Sequence, residues 1–140
     1  MNFQEFLQHS KLDSKDYQRE GVEWCIEREQ EQSVLEQEQE QDREQSLEGS
    51  SQHYCAGGIV ADEMGLGKTI MMIATIVCNF KMPTLIVLPN VLLEQWKEQI
   101  YKTTGHKAIV YHGQVKKILT AKQLQYIPII LTTYGTVLAD

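Results

Sequence analysis

The chain has 140 residues, 42% of them hydrophobic, which is enough for one modest core. No apolar run approaches the roughly 20 residues that cross a bilayer, so no membrane segment is expected. The net charge of −6 is uneven: Glu27 to Glu48 holds nine acids against two arginines, and Met64 to Asp140 holds eight lysines against three acids. The mildly basic later part is compatible with a polyanion partner and equally with an ordinary solvated lysine surface.

The opening residues, MNFQEFLQHSKLD, lack the basic start and apolar stretch of a secretory leader. Cys25, Cys55 and Cys78 are odd in number and widely spaced, with no Cys-x-x-Cys pair. They read as reduced thiols in a cytosolic, nuclear or viral-factory setting rather than as disulfides or zinc ligands. Residues 14–27, SKDYQREGVEWCIE, have helical periodicity, with Ser14 as the candidate cap. The next stretch is almost entirely Glu and Gln. It has little apolar surface to set against its ordering entropy, yet both residue types favour helix, so part of it can extend the preceding helix into solvent. The chain thus divides into residues 1–27, an acidic Glu/Gln-rich insertion at 28–52, and a folded unit at 53–140. The insertion reads as a solvated spacer, a protein-binding acidic tail being the other reading.

From Ala56 onward, short runs rich in Ile and Val alternate with amphipathic stretches. AGGIVAD predicts a strand and KTIMMIATIVCNF a helix. PTLIVLP predicts a strand apolar enough to be buried on both faces. VLLEQWKEQIYKTTG predicts a helix capped by Asn90 and stopped at Gly105. HKAIVYH predicts a third strand, QVKKILTAKQLQY a third helix and IPIILTTYG a fourth strand. Strand-helix repetition of this kind predicts an α/β fold, a parallel sheet with helices on both faces.

The most informative stretch is ADEMGLGKT, residues 61–69. A triphosphate needs many donors close to its oxygens, and Gly65 and Gly67 let backbone N–H groups turn inward with no Cβ in the way. The following helix adds its positive N-terminal end. Lys68 supplies a mobile charge for the outer phosphates, and the Thr69 hydroxyl can join a magnesium shell. The strict pattern G-x-x-x-x-G-K-[ST] has glycine where this chain has Asp62. The inner turn depends on Gly65, Gly67 and the amides through Thr69, so the cradle survives that change. Met64 and Leu66 offer backbone N–H groups while their side chains pack the loop.

ADEMGLGKT resembles the first ATPase motif of the Swi/Snf-like ATPases, a branch of helicase superfamily two in which an acidic pair before the loop is normal. DYQREGVEW is similar to the glutamine motif of that family, with Gln18 at the position that reads adenine. PTLIVLPNVLLEQWKEQI and IILTTYGTV resemble two further motifs. The insertion and the YHG after the third strand look closest to the branch of repair-linked ubiquitin ligases and transcription-termination ATPases; large DNA viruses carry similar proteins. The resemblance implies a RecA-like P-loop fold and ATP hydrolysis, with magnesium, coupled to translocation on double-stranded DNA. It implies chromatin or DNA-bound proteins as further partners and a nuclear setting, or a viral factory for a viral protein.

Carried over residue by residue, Gln18 and Asp62, Glu63, Met64, Gly65, Leu66, Gly67, Lys68 and Thr69 surround the nucleotide. Lys68 and Thr69 are the catalytic candidates, Thr69 also reaching the metal. Pro89, Asn90, Thr132, Thr133 and Tyr134 lie at strand ends where the family meets the DNA backbone. Pro89-Asn90 is also a good helix start, and Thr132-Thr133 good strand chemistry. Trp96 reads as core rather than as a DNA stacker. His53, His106 and His112 show no ligand spacing and receive no role.

Hydrolysis in this family also needs a D-E-x-H string on a later strand, and none occurs here. Asp62-Glu63 is tethered to the loop entrance and cannot replace it. The expectation is an N-terminal part of a first RecA-like lobe, truncated before the D-E-x-H strand, that binds nucleotide and hydrolyses it poorly. The alternative is a stand-alone nucleotide-binding or decoy module without turnover, and a third reading is a P-loop ATPase unrelated to DNA.

Overall fold

The computed structural model describes residues 1–13, 15–43 and 57–139, those at 31–43 and 121 by their backbone alone. A helix outside the sequence-based expectation, α1 (Phe3–Ser10), opens the chain. Asn2 caps it: Asn2 Oδ1 accepts from the Glu5 N–H at 2.9 Å, and Glu5 Oε2 accepts from the Asn2 N–H at 3.0 Å. This reciprocal box satisfies two otherwise orphaned donors. Phe3, Phe6 and Leu7 then face the core, and Phe6 is fully buried.

Helix α2 (Asp16–Arg43) follows, so helix continues well into the Glu/Gln-rich stretch. The proposed cap Ser14 and residues 44–56 lie outside the described residues. Gly21 lets α2 approach α3 (Lys68–Cys78) closely, since a Cβ at that position would run into the Met71 side chain. Val22 and Met71 are buried at this contact. Asn79 Nδ2 donates to Glu29 Oε2 at 2.6 Å and ties the far end of α3 to α2.

Strand β1 (Thr84–Val87), a 3-10 turn at Asn90–Leu92, helix α4 (Leu93–Thr104) and the short strand β2 (Ile109–Val110) come next. Helix α5 (Ala121–Leu124), strand β3 (Ile129–Thr132) and helix α6 (Tyr134–Ala139) complete the order. The sheet runs β1-β3-β2 and both pairings are parallel, with Thr84 opposite Ile129 and Ile109 opposite Ile130. All four residues of β3 are buried, as the central strand of an α/β sheet should be. Helix α4 packs on β2 and β3, and α1 packs on α3 and α4. Trp96 packs against this core, as expected.

Three elements differ from expectation. Residues 57–63 form no strand, and Ile59 is 88% exposed. A strand exists only with a ladder partner, and none of the three strands of the described sheet pairs with these residues. Next, β1 is not buried on both faces: it lies at the sheet edge with Leu85 55% exposed. Finally, residues 114–126 do not form one helix. They give a 3-10 turn at Val115–Lys117 and then α5, because the Thr120 N–H donates to Gln123 Oε1 at 2.9 Å and begins a new helix there. Among the described residues, no helix is long and apolar enough to cross a membrane. Cys25 and Cys78 are free thiols, and burial pushes both above the usual cysteine range, a hydrogen bond from Thr75 opposing the rise at Cys25.

Candidate nucleotide site and strand-end turns

The glycine loop sits directly before α3. Gly65 has φ +90° and Gly67 φ +82°, the left-handed region in which a side chain is strained. Gly67 is also the N-cap of α3, so the loop turns straight into the helix and aims its N-terminal end at the loop. Gly67 has a second reason to be glycine: a Cβ there would come within 2.5 Å of Gln18 Nε2.

Gln18 lies in the first turn of α2, 48 residues away in sequence, and is 7% exposed. Its Nε2 donates to the Leu66 carbonyl at 3.0 Å. The glutamine motif and the glycine loop are thus in direct contact. A carboxamide has two donors and an acceptor. One N–H is spent on Leu66, which leaves the second N–H and Oε1 for another group.

Lys68 Nζ donates to the carbonyls of Asp62 at 2.5 Å and Glu63 at 2.8 Å. The ammonium therefore lies across the loop entrance, where it gathers two loop carbonyls. The side chains of Asp62 and Glu63 are exposed and Met64 is 96% exposed, so the packing role expected for Met64 does not apply among the described residues. Leu66 does line a 390 Å3 cleft between the loop and α2, together with Tyr17, Glu20, Trp24 and Asp62. Thr69, half-buried, is in the first turn of α3. Loop, lysine, hydroxyl and glutamine fit a nucleoside triphosphate: left-handed glycines, a cation that reaches the loop and a helix N-terminus converge within a few residues. Among the described residues, no group of three or more His, Cys, Asp or Glu side chains is placed to hold a metal on its own. Thr69 is the group in the loop suited to a magnesium ion carried in with phosphate.

The second set of candidate residues lies at strand ends. Pro89 and Asn90 follow β1, and both are exposed. Thr132, Thr133 and Tyr134 end β3 and begin α6. Parallel pairing puts these two turns on one edge of the sheet, where α/β folds place ligands. Their side chains differ in disposition. Thr132 Oγ1 donates inward to the Tyr111 carbonyl at 2.8 Å. Thr133, 8% exposed, has its Oγ1 at 3.0 Å from Thr136 Oγ1. Tyr134 is 59% exposed. Sequence reasoning gave His112 no role, yet its Nδ1 sits 3.1 Å from Thr136 Oγ1. The signal was the YHG string after the third strand, noticed as a family mark without a contact to explain it.

The SNF2-related domain family matches residues 17–140. The chain belongs to that family. The ATP-dependent helicase rhp16 of Schizosaccharomyces pombe is 36% identical over 120 residues, covering 83% of this chain and 11% of the relative. The DNA repair protein RAD5 of Debaryomyces hansenii is 34% identical over 110 residues, covering 60% and 9%. Among solved structures, the Sulfolobus solfataricus SWI2/SNF2 ATPase core in complex with dsDNA aligns with a TM-score of 0.64 at 28% identity, over 93% of this chain and 23% of that one. The α/β fold expected from the sequence is thus that of part of a Swi/Snf ATPase core. The chain spans about a tenth of the length of the curated relatives named here.

Proposed function

We propose that this chain is the ATP-binding N-terminal part of a Swi/Snf-like DNA-dependent ATPase that acts on double-stranded DNA in repair or chromatin work. The observation that carries the reading is the Gln18 Nε2 to Leu66 carbonyl bond, which joins the adenine-reading glutamine to the phosphate loop. Bound magnesium-ATP supplies the transferable phosphoryl group. Gln18 presents its remaining N–H and Oε1 to the adenine edge. The backbone N–H groups of residues 62–69 would hold the phosphates, Lys68 would donate to phosphate oxygens in place of the loop carbonyls, and Thr69 would hold the metal.

In this reading the Pro89-Asn90 and Thr132-Thr133-Tyr134 turns face the DNA backbone; the Sulfolobus relative is itself a complex with dsDNA. Asn90 and Tyr134 offer exposed side chains, while Thr132 and Thr133 brace the turn from within. Such contacts position a duplex and carry no sequence preference. Chromatin or other DNA-bound proteins are further partners, and the setting is the nucleus, or a viral factory for a viral protein.

Gln18→Ala is expected to weaken ATP binding about tenfold, from the loss of an adenine contact and the loop bond together. The preference for ATP over GTP should fall with it. Titration with fluorescent ATP and GTP analogues measures both, and an unchanged preference would remove Gln18 from the adenine site.

The chain should bind ATP and hydrolyse it negligibly, with or without duplex DNA, because the sequence contains no D-E-x-H carboxylates. Phosphate release assayed with and without duplex tests this. DNA-stimulated turnover that disappears in Lys68→Ala would show a complete catalytic set, and failure to bind ATP at all would refute the nucleotide reading.

A further inference from the structure

We propose that His112 is a positioning residue for the DNA-facing turn at the end of β3, a role that rests on the DNA reading above. His112 follows β2 and lies in neither candidate DNA turn, yet it is bonded to the turn at the end of β3 and lines a groove with Asn90 of the other. Its Nδ1 is 3.1 Å from Thr136 Oγ1 and 3.5 Å from Thr133 Oγ1. The two hydroxyls are 3.0 Å apart, and the Thr136 N–H donates to Thr133 Oγ1 at 3.3 Å. On its other side, exposed His112 lines a 570 Å3 groove shared with Asn90, Leu93 and Lys97.

The turn has an anchor outside its own element: helix α6 begins directly at it, at Tyr134, and its first turn is bonded to the end of β2. Thr133 caps it, and the cap hydroxyl is itself held by Thr136 and, through Thr136, by His112. The neighbouring backbone is fastened in the same direction: Thr132 Oγ1 donates to the Tyr111 carbonyl at 2.8 Å, and the Tyr111 N–H donates to the Leu131 carbonyl at 2.7 Å. The end of β2 is therefore stitched to the end of β3 across 24 residues of sequence. Either direction of proton donation along Thr133, Thr136 and His112 satisfies the chain of three atoms, so the clamp holds with either ring tautomer. Tyr134 leaves the turn immediately after Thr133. Its direction on the surface is set by this clamp.

The test uses the full chain and a fluorescein-labelled duplex oligonucleotide of mixed sequence. Binding is followed by anisotropy across a salt series, with a urea unfolding midpoint for each variant. His112→Ala should weaken binding about fivefold, the worth of one lost hydrogen bond. It should also flatten the dependence of log K on log salt by about one phosphate contact. Asn places a polar atom near the Nδ1 position, so His112→Asn should restore both quantities. Thr136→Val should mimic His112→Ala, and the double variant should be no weaker than either single one. If the wild-type chain binds duplex and His112→Ala binds equally well with the same salt slope, the positioning role is overturned and the DNA reading stands. If His112→Asn fails to restore binding while the urea midpoint falls, His112 is a stability residue only. If the wild-type chain does not bind duplex, the DNA reading falls and the positioning role with it.

Discussion

Lys68→Ala is expected to weaken binding of a fluorescent ATP analogue by about 30- to 100-fold. The lysine makes charge-assisted hydrogen bonds, each stronger than a neutral one, and their loss to phosphate is worth roughly 2–3 kcal/mol. The fold should hardly notice. The carbonyls of Asp62 and Glu63 that Lys68 now contacts are at an exposed loop entrance, where water can take over. The signature is therefore a large loss of affinity with an unchanged urea midpoint. Lys68→Arg should recover only part of the affinity, because a planar fork does not replace a compact ammonium in a tight loop. A dissociation constant within twofold of wild type for Lys68→Ala would dismiss the loop as a phosphate site, whatever its resemblance.

Phe6→Ala should have the opposite signature. Phe6 is fully buried, with the Phe3 ring stacked at 6.2 Å between centroids, and α1 docks on α3 and α4. Removing a buried phenyl ring costs about 3–5 kcal/mol, part of it lost transfer energy and part the cavity left behind. For a chain of this size that is a large fraction of total stability. Because α3 carries the glycine loop at its first turn, the proposed ATP binding should fall in proportion to the unfolded fraction, and not beyond it. Urea unfolding followed by circular dichroism reads the loss directly. A cost below about 1 kcal/mol would mean that α1 is an appendage and not part of the core.

What sequence could reveal here follows the range of the interactions. The glycine loop and the helix after it were legible because their pattern is contiguous: two glycines, a lysine and a threonine in five residues, leading into an apolar helix. The order of strands and helices from Thr84 to Thr132 was legible through runs such as TLIV and IILT. The Gln18 contact was not legible as geometry, since the two partners are 48 residues apart and only a resemblance paired them. Residues 56–62 read as a strand because apolar, β-branched composition says nothing about which neighbour will supply a ladder. Helix α1 was passed over although its Asn2 to Glu5 spacing is a capping signal, because eight residues give little periodicity to detect. The break at Thr120 was likewise a capping signal, hidden inside a stretch of good helix formers. Thr132 and Thr133 illustrate a different limit. Their polarity marked an interesting turn, but only coordinates reveal that their hydroxyls point inward.

Of the three strands among the described residues, the middle one is made last. β1 and β2 never pair with each other, and both depend on Ile129–Thr132 for their backbone partners. At roughly 5–20 residues per second on the ribosome, Thr84 waits several seconds before its partner Ile129 exists. During that interval the apolar TLIV segment can be sheltered by the helices already synthesised, α1 to α3 and then α4, together with whatever chaperone is at hand. Variants that loosen α1 should therefore reduce soluble yield during synthesis more than their equilibrium stability alone would indicate, and slowing elongation between residues 110 and 129 should aggravate the loss.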